Sequence, residues 1–315
     1  MPSDSVMGIP IFSERRYEMK ITYIEHSCFL VETAECYMLF DYYCGDVQLP
    51  ELDPVKPLLL FNSHAHPDHF SKEIFTLHER YPRSLFVLSA DIPVPAAIQP
   101  FTCPMLPHEH RLIQLAGGRA AVVPTSADKL VQPMDTKQQE AVFRAGILRA
   151  SETSMKPHPT SEAKMDDKAP DAPNVHSIPD ASIIDVSIET LRSNDEGVAF
   201  IVRLGDLSIY YAGDLNNWWW DGDVEDQKLA DIYHEELERI RGRHFTAAFI
   251  PLDPRLQGWW KGIEDFMHYA DADRIFPMHN FGEKGLPKKF LALDCAAGYK
   301  NRICDVEEPL SSWKL

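Results

Sequence analysis

Short apolar runs alternate with polar, turn-forming segments along most of the chain. Runs rich in Leu, Ile, Val and Phe predict strands, because a strand buried on both faces is continuously apolar. Two of them, Val198–Leu204 and Leu207–Tyr211, flank Gly205-Asp206, a pair typical of a hairpin turn. The other runs that predict strands are residues 21–24, 28–32, 36–40, 58–61, 85–89, 247–252 and 274–277.

Amphipathic stretches between these runs predict helices. One begins at Ser71, a residue type that caps helix N-termini, a second covers roughly residues 227–241, and a short third covers residues 262–269. Strands that alternate with helices, with hairpins among them, predict an α/β protein in which mixed sheets are covered by helices.

The pattern weakens between about residues 135 and 182. The last 32 residues of this segment contain five prolines and no Phe, Trp or Tyr. Such a segment cannot bury enough apolar surface to offset the entropy of ordering it. We therefore predict a single domain over residues 1–315 with a flexible or loosely packed insertion at about 135–182. A linker between two domains is the alternative.

Composition and charge narrow the class of protein. The chain is 44% hydrophobic and 25% charged, as in soluble globular proteins, which excludes collagen and wholly disordered chains. The net charge of −17 disfavours binding to nucleic acid or anionic lipid, because the long-range field repels phosphates. No segment is apolar enough for a membrane helix, and the N-terminus lacks the pattern of a signal peptide. We expect a cytoplasmic protein that acts on a small molecule; its oligomeric state is not predicted.

The strongest chemical signal is the run HAHPDH, directly after the apolar run 58–61. Alternate side chains of an extended segment share a face, so His64 and His66 can hold one ion. Pro67 forces a turn that can direct Asp68 and His69 to a second point nearby. Imidazole and carboxylate suit divalent metals such as Zn²⁺ and Mn²⁺. A histidine-rich surface loop is the alternative interpretation.

Two more residues of ligand type follow predicted strands. Asp214 comes after Leu207–Tyr211 and a turn of small residues, and a carboxylate can bridge two metals with its two oxygens. His279 follows the run 274–277. Taken alone, Asp214 could cap backbone amides of a turn and His279 could be a packed residue. Their positions at strand ends, like that of the HAHPDH run, favour a role as ligands.

These motifs together resemble the metallo-β-lactamase-fold hydrolase superfamily. The resemblance spans most of the chain outside residues 135–182. The segments EHSCF, FD and SNDEGV, at residues 25–29, 40–41 and 193–198, are similar to its bacterial branch of ascorbate-6-phosphate lactonase-like proteins. The resemblance implies a four-layer αββα sandwich of two mixed β-sheets, with the metal site at one edge of the sheets.

The resemblance also implies a role for each ligand. Asp41 matches an acidic residue at an early strand end that holds the metal ligands in position and does not bind the metal itself. Asp68 and Asp214 are the candidate catalytic residues, with Asp68 as proton acceptor. The resemblance implies one or two divalent metal ions, with zinc as the expected metal and manganese as the alternative. It also implies that a hydroxide bound between the metals is the nucleophile. The first metal is assigned to His64 and His66, the second to Asp68, His69 and His279, and Asp214 bridges both.

One position departs from the family's pattern. Many members supply a third histidine to the first metal just before a glycine, and alignment on Gly197 places Asn194 there. Asn is a weak ligand for zinc, which leaves three alternatives open. Asp195 replaces the histidine, water fills the place, or the first site is weakly occupied. One metal is then held tightly and the second only conditionally.

Aromatic and basic residues after Asp214 are candidates for a substrate pocket. We expect Trp218 or Trp219 to line it and Arg255 or Lys261 to receive an anionic group; packing in the core is the alternative for each Trp. The sequence thus predicts a metal-dependent hydrolase of a small cytosolic metabolite of the lactone, ester or phosphoester class. The alternatives are a metal-binding scaffold or sensor with little turnover, and an RNA-processing nuclease. His26 is interpreted as a non-ligand.

Overall fold

The computed structural model of the chain describes residues 18–125 and 183–315, and the structural statements below concern these ranges. Residues 18–123 and 183–315 belong to one compact unit. The predicted insertion at 135–182 lies outside the described residues, so it stays a prediction, as does a single domain over the whole chain. The strands are β1 (Lys20–Glu25), β2 (Cys28–Glu32), β3 (Tyr37–Phe40), β4 (Leu58–Asn62), β5 (Ser84–Ser89), β6 (Thr102–Met105), β7 (His110–Ala116), β8 (Arg119–Val122), β9 (Ile184–Arg192), β10 (Val198–Leu204), β11 (Leu207–Tyr211), β12 (His244–Pro251), β13 (Asp271–Met278) and β14 (Ser312–Lys314).

Helices are fewer and shorter than strands in the described part of the chain. None of them is long and apolar enough to cross a membrane. The α-helices are α1 (Leu77–Arg80), α2 (Val224–Glu238), α3 (Lys261–Tyr269) and α4 (Leu286–Leu291), and 3-10 turns lie at Lys72–Thr76, Gln99–Phe101 and Asp294–Ala296.

The strands form two mixed sheets. The first has the order β14-β1-β2-β3-β4-β5-β6, in which β3 to β6 run parallel and the remaining neighbours antiparallel. The second has the order β13-β12-β11-β10-β9-β7-β8, in which β11, β12 and β13 run parallel. Parallel neighbours end at the same edge of a sheet, so loops after β3 and β4, and loops after β11, β12 and β13, are brought together.

The inner faces of the two sheets share one hydrophobic core. In β4, Leu59 and Phe61 belong to the shared core, whereas Leu58 and Leu60 belong to a separate cluster on the outer face of the first sheet. Successive side chains of a strand point to opposite faces, which explains this division. The ring of Phe61 lies 5.3 Å from that of Phe200 in the second sheet, centroid to centroid, so the sheets pack face to face.

Helices cover the outer faces. Ile74 and Phe75 of the first 3-10 turn pack into the outer cluster of the first sheet. Phe266 of α3 packs on the outer face of the second sheet, 4.9 Å from the ring of Tyr210. The fold is therefore a four-layer αββα sandwich, which confirms the predicted fold class. The predicted cap is also confirmed, since the Ser71 side chain accepts a hydrogen bond from the backbone of Glu73.

Five strands, β6 to β9 and β14, and helix α4 were not among the predicted elements, and one helix start differs from its prediction. β7 is only half buried and β14 has three residues, so neither presents a continuous apolar run. β14 forms because it pairs with β1 at the sheet edge, and the residues of β14 alone do not predict this pairing. Helix α2 begins earlier than residue 227, because the Asp223 side chain accepts hydrogen bonds from the backbone of Glu225 and Asp226.

Candidate metal centre

Five strand ends meet at one edge of the two sheets and carry the polar residues of the site. The HAHPDH run follows β4, and Asp41 follows β3 in the same sheet. Asp214, Asp253 and His279 follow β11, β12 and β13 in the second sheet. The structure thus brings all six predicted metal ligands to one place, and each of them stands at or just beyond the end of a parallel strand.

Among the described residues, the possible metal-ligand atoms at this edge form two groups. Within each group, one ligand atom per residue lies within 4.8 Å of all the others. The first group consists of His64, His66, Asp195 and Asp214, and the second consists of His26, Asp68, His69 and His279.

Asp214 lies between the two groups and is 5% exposed. Its Oδ2 lies 3.5 Å from His64 Nε2 of the first group. Its Oδ1 lies 3.2 Å from His69 Nε2 and 3.6 Å from His279 Nε2 of the second. Each carboxylate oxygen therefore faces a different group, which is the arrangement a bridging ligand needs.

The buried polar atoms of the groups fit divalent metal ions. Nε2 of His26, His64, His69 and His279 and Oδ1 of Asp214 are buried and make no hydrogen bond to any described residue. A buried polar atom without a partner costs about 1–3 kcal/mol, and such atoms are rare in folded proteins. All five are atom types that bind zinc and similar ions, so cations bound in the two groups would satisfy them.

Asp41 holds the histidines of both groups in position. This fully buried carboxylate accepts hydrogen bonds from the backbone N–H and the hydroxyl of Ser63, each at 2.7 Å. Its Oδ2 also lies 2.7 Å from His69 Nδ1 and 2.8 Å from the Tyr211 hydroxyl. Ser63 Oγ in turn lies 2.9 Å from His64 Nδ1. Partners on Nδ1 fix the ring and leave Nε2 to bind a metal.

Asp253 does the same for His279, and the sequence interpretation did not single it out. Its Oδ2 lies 3.2 Å from His279 Nδ1 and 2.6 Å from Arg255 Nη2. The carboxyl is fully buried, so these two contacts hold its charge in place. The signal that could have found it is its position just after the apolar run 247–252, the same position that drew attention to Asp214.

The charges of the cluster shift the pKa of its members. Burial raises the pKa of Asp214, but the neighbouring imidazoles, His69 first, outweigh burial and hold it well below its usual range. For His69, burial lowers the pKa, and the carboxylates of Asp214 and Asp41 outweigh it and raise the pKa well above its ordinary value. Burial lowers the pKa of His64. Asp214 is thus an anion at neutral pH, as a metal ligand must be.

The His26 side chain lies in the second group, and its interpretation as a non-ligand stays a prediction. Its Nε2 lies 3.4 Å from Asp68 Oδ2, and its ring centroid lies 4.5 Å from that of His279. The His26 imidazole holds the pKa of Asp68 below its usual range. The residue lies in the turn between β1 and β2 with a φ of 50°, in the left-handed region that few side chains adopt.

Asn194 is tied to the backbone, and Asp195 takes the place beside the first group. The Asn194 amide nitrogen donates to the carbonyl oxygens of Asn216 at 2.7 Å and Leu229 at 2.9 Å, and its oxygen accepts from the Asn216 N–H at 3.2 Å. Asp195 Oδ2 lies 3.5 Å from His66 Nδ1. Of the three alternatives left open by the sequence, this geometry favours Asp195 as the replacement.

An open cleft with a volume of about 340 Å³ lies in front of the two groups. Trp218 and Arg255 line it, as do Trp220 and Phe281, which the sequence interpretation did not assign to the pocket. Trp218 and Trp220 stack in parallel, with centroids 6.3 Å apart. The cleft therefore has aromatic and cationic residues beside the candidate metal ligands.

The structure does not bring Trp219 and Lys261 to this cleft. Lys261 Nζ lies 4.4 Å above the ring of Trp219, so the two residues pair with each other. Trp219 packs against Gly258 instead, and the Gly258 N–H donates to the Trp219 carbonyl oxygen at 3.0 Å.

A family model described as a beta-lactamase superfamily domain matches residues 20–232 of the chain. The chain belongs to this superfamily, as the HAHPDH run and the αββα fold indicated. The narrower resemblance to ascorbate-6-phosphate lactonase-like proteins stays a prediction.

Individual relatives share shorter segments. Two proteins, each named UPF0173 metal-dependent hydrolase, come from Desulforamulus reducens and Opitutus terrae. The first is 39% identical over 57 residues, which cover 18% of this chain and 25% of that relative. The second is 42% identical over 64 residues, which cover 19% and 28%. The chain therefore matches only about a quarter of the length of these relatives.

A solved structure matches over nearly the full length. Igni18, a novel metallo hydrolase from the hyperthermophilic archaeon Ignicoccus hospitalis, aligns over 95% of this chain and 98% of its own, at 14% identity and a TM-score of 0.43.

Proposed function

We propose that this chain is a metal-dependent hydrolase that acts on a small anionic substrate with an ester, lactone or phosphoester bond. The observation that carries the proposal is the set of buried ligand atoms without partners in two adjacent groups, with Asp214 between them. The cleft of about 340 Å³ in front of these groups has the size of a small-molecule site.

Bound metal ions and the residues of the chain would have different roles in the reaction. The two groups would hold divalent ions, which would supply activation of water and polarisation of the scissile bond. Asp214 and the buried histidines supply the ligands. Asp68 lines the cleft with a side chain that is 42% exposed. It is therefore placed to accept a proton from a group that enters the cleft.

Arg255 supplies the positive charge of the cleft. Its Nε and Nη2 contact the Asp253 carboxylate at 3.0 Å and 2.6 Å. Its guanidinium carbon lies 3.7 Å from the ring centroid of Phe281 and 5.6 Å from that of Trp220. The side chain is 47% exposed, so the edge of the guanidinium not used by Asp253 is open to a carboxylate or phosphate of the substrate.

Removal of the metal is expected to abolish turnover, because the stripped protein lacks the cation that would activate water. The protein is stripped with a chelator, reloaded with Zn²⁺ or Mn²⁺, and assayed on a panel of anionic esters, lactones and phosphodiesters. We expect turnover that disappears on stripping and returns with the metal. A fully loaded protein without turnover on any class would instead support the scaffold or sensor, and turnover that survives stripping would exclude metal-dependent chemistry.

Arg255→Met is expected to reduce selectivity for anionic substrates. The ratio of kcat/KM for an anionic substrate to that for its neutral analogue should fall about 10- to 100-fold, because a hydrogen bond to a charged group contributes about 1.5–3 kcal/mol. Lys261→Met is the matched control, since this cation lies over Trp219 and not on the cleft. An unchanged ratio in Arg255→Met, or an equal fall in Lys261→Met, would exclude Arg255 as the anion-binding residue.

A further inference from the structure

We infer that the two groups hold different metals with different strength. The second group retains a Zn²⁺ ion, and the first group holds an exchangeable ion, which can be Mn²⁺. The inference rests on the proposed metal-dependent function and deepens it, because it assigns an ion class to each half of the centre.

The donor atoms of the two groups differ in chemistry. Asp214 faces both groups. Beside it, the second group offers three imidazoles and one carboxylate, whereas the first offers two imidazoles and one carboxylate. Imidazole favours zinc, and carboxylate and water favour harder ions such as Mn²⁺. Asp195 supplies the second carboxylate of the first group, and His26 supplies the third imidazole of the second. Both residues depart from the ligand pattern that the family resemblance implies.

The groups also differ in how firmly their ligands are held. His69 and His279 of the second group have side chains that are 0% and 3% exposed, each with Nδ1 fixed by a buried carboxylate. The second group has one exposed side chain, that of Asp68 at 42%, whereas the first group has two, those of His66 and Asp195 at 41% and 43%. Ligands already in position lose little entropy on binding, whereas exposed ones must be immobilised and stay open to solvent. The first group therefore binds its ion more weakly and exchanges it faster.

The backbone of the loop that carries Asp195 is fixed beside the first group, so Asp195 lies within reach of that group. Gly197 has a φ of 69°, and a Cβ at this position would clash with the carbonyl oxygen of Ser63. The Val198 N–H donates to the same oxygen at 2.9 Å. With Asn194 bound to the backbone of Asn216 and Leu229, Asp195 is the next side chain that this loop can offer.

Metal retention and manganese binding test the inference without an activity readout. The stripped full chain is loaded with excess Zn²⁺, desalted, and its zinc content is measured by mass spectrometry. Mn²⁺ is then titrated in, and the EPR signal of free Mn²⁺ reports binding. We expect wild type to retain about one zinc per chain and to bind about one Mn²⁺ in addition.

Three variants assign the ions to the groups. Asp195→Asn should keep its zinc and bind Mn²⁺ at least about tenfold more weakly, and His26→Gln should lose zinc during desalting. Asp195→His gives the first group a third imidazole and should retain two zinc ions. Asp223→Asn is the matched control, because it makes the same carboxylate-to-amide change at a residue that caps helix α2 and belongs to neither group.

Two zinc ions retained equally by wild type would overturn the inference, as would unchanged Mn²⁺ binding in Asp195→Asn. The same samples are assayed for hydrolysis. Hydrolysis with two equivalent zinc ions contradicts the inference alone. The expected metal asymmetry without hydrolysis of any substrate contradicts the proposed function alone, and a protein that binds no metal contradicts both.

Discussion

Asp214→Asn is expected to lower kcat/KM by at least about a thousandfold, a loss of about 4 kcal/mol of transition-state stabilisation. The two oxygens of Asp214 face different groups, at 3.5 Å from His64 and 3.2 Å from His69. Asn keeps the shape of the side chain but removes its charge and one acceptor oxygen, so both groups lose a shared anionic ligand. Steady-state kinetics and metal content measure the two effects.

A second aspartate close to Asp214 in the chain provides the control. Asp223 caps helix α2 with its side chain and belongs to neither ligand group. Asn is as good a helix cap as Asp, so Asp223→Asn should leave kinetics, metal content and stability close to wild type. If Asp214→Asn keeps its metal and stays within about tenfold of wild-type activity, a bridging role for Asp214 is wrong.

Asp41→Ala is expected to lower the free energy of unfolding by at least about 3 kcal/mol, because it removes one partner of a buried charged network. The fully buried carboxylate faces the Ser63 hydroxyl, the His69 ring and the Tyr211 hydroxyl, and each of them is left buried without it. Asp41 also has a φ of 43°, a conformation that Asp and Asn adopt more readily than Ala. Urea unfolding of the metal-free protein measures the loss.

Asp41→Asn separates the effect of the backbone conformation at this position from the effect of the negative charge. Asn tolerates the same φ and keeps one acceptor oxygen, so its loss should be smaller than that of Ala. The variant still removes the negative charge beside His69, so its metal affinity should fall about 10- to 100-fold, as when other residues that orient metal ligands are replaced. An Asp41→Ala protein within about 1 kcal/mol of wild type would show that the network does not stabilise the fold.

The grouping of the HAHPDH side chains could be predicted because it depends on residues that are neighbours in the sequence. Alternate residues of an extended segment share a face, and Pro67 sets the turn, so the grouping of these side chains hardly depends on the rest of the chain. Asp214 and His279 were found because each follows a predicted strand. Asp253 has the same position and could have been found by the same rule.

The remaining features depend on contacts between distant segments. His26 reaches Asp68 because the β1–β2 turn lies against the end of β13, where the His279 N–H donates to the His26 carbonyl at 3.3 Å. The choice between Asn194 and Asp195 depends on where this loop docks on Asn216. No local pattern encodes either contact. Among Trp218 to Trp220, the sequence shows that the rings point in different directions but not which of them reach the cleft.

Anomalous diffraction from crystals grown with Zn²⁺ and Mn²⁺ tests the central claim most directly. The account predicts two peaks, one bounded by His64, His66 and Asp195 and the other by Asp68, His69 and His279, with an Asp214 oxygen on each. Data collected at the zinc edge should place zinc at the second peak. Ordered ions elsewhere in the chain and none beside Asp214 would contradict it.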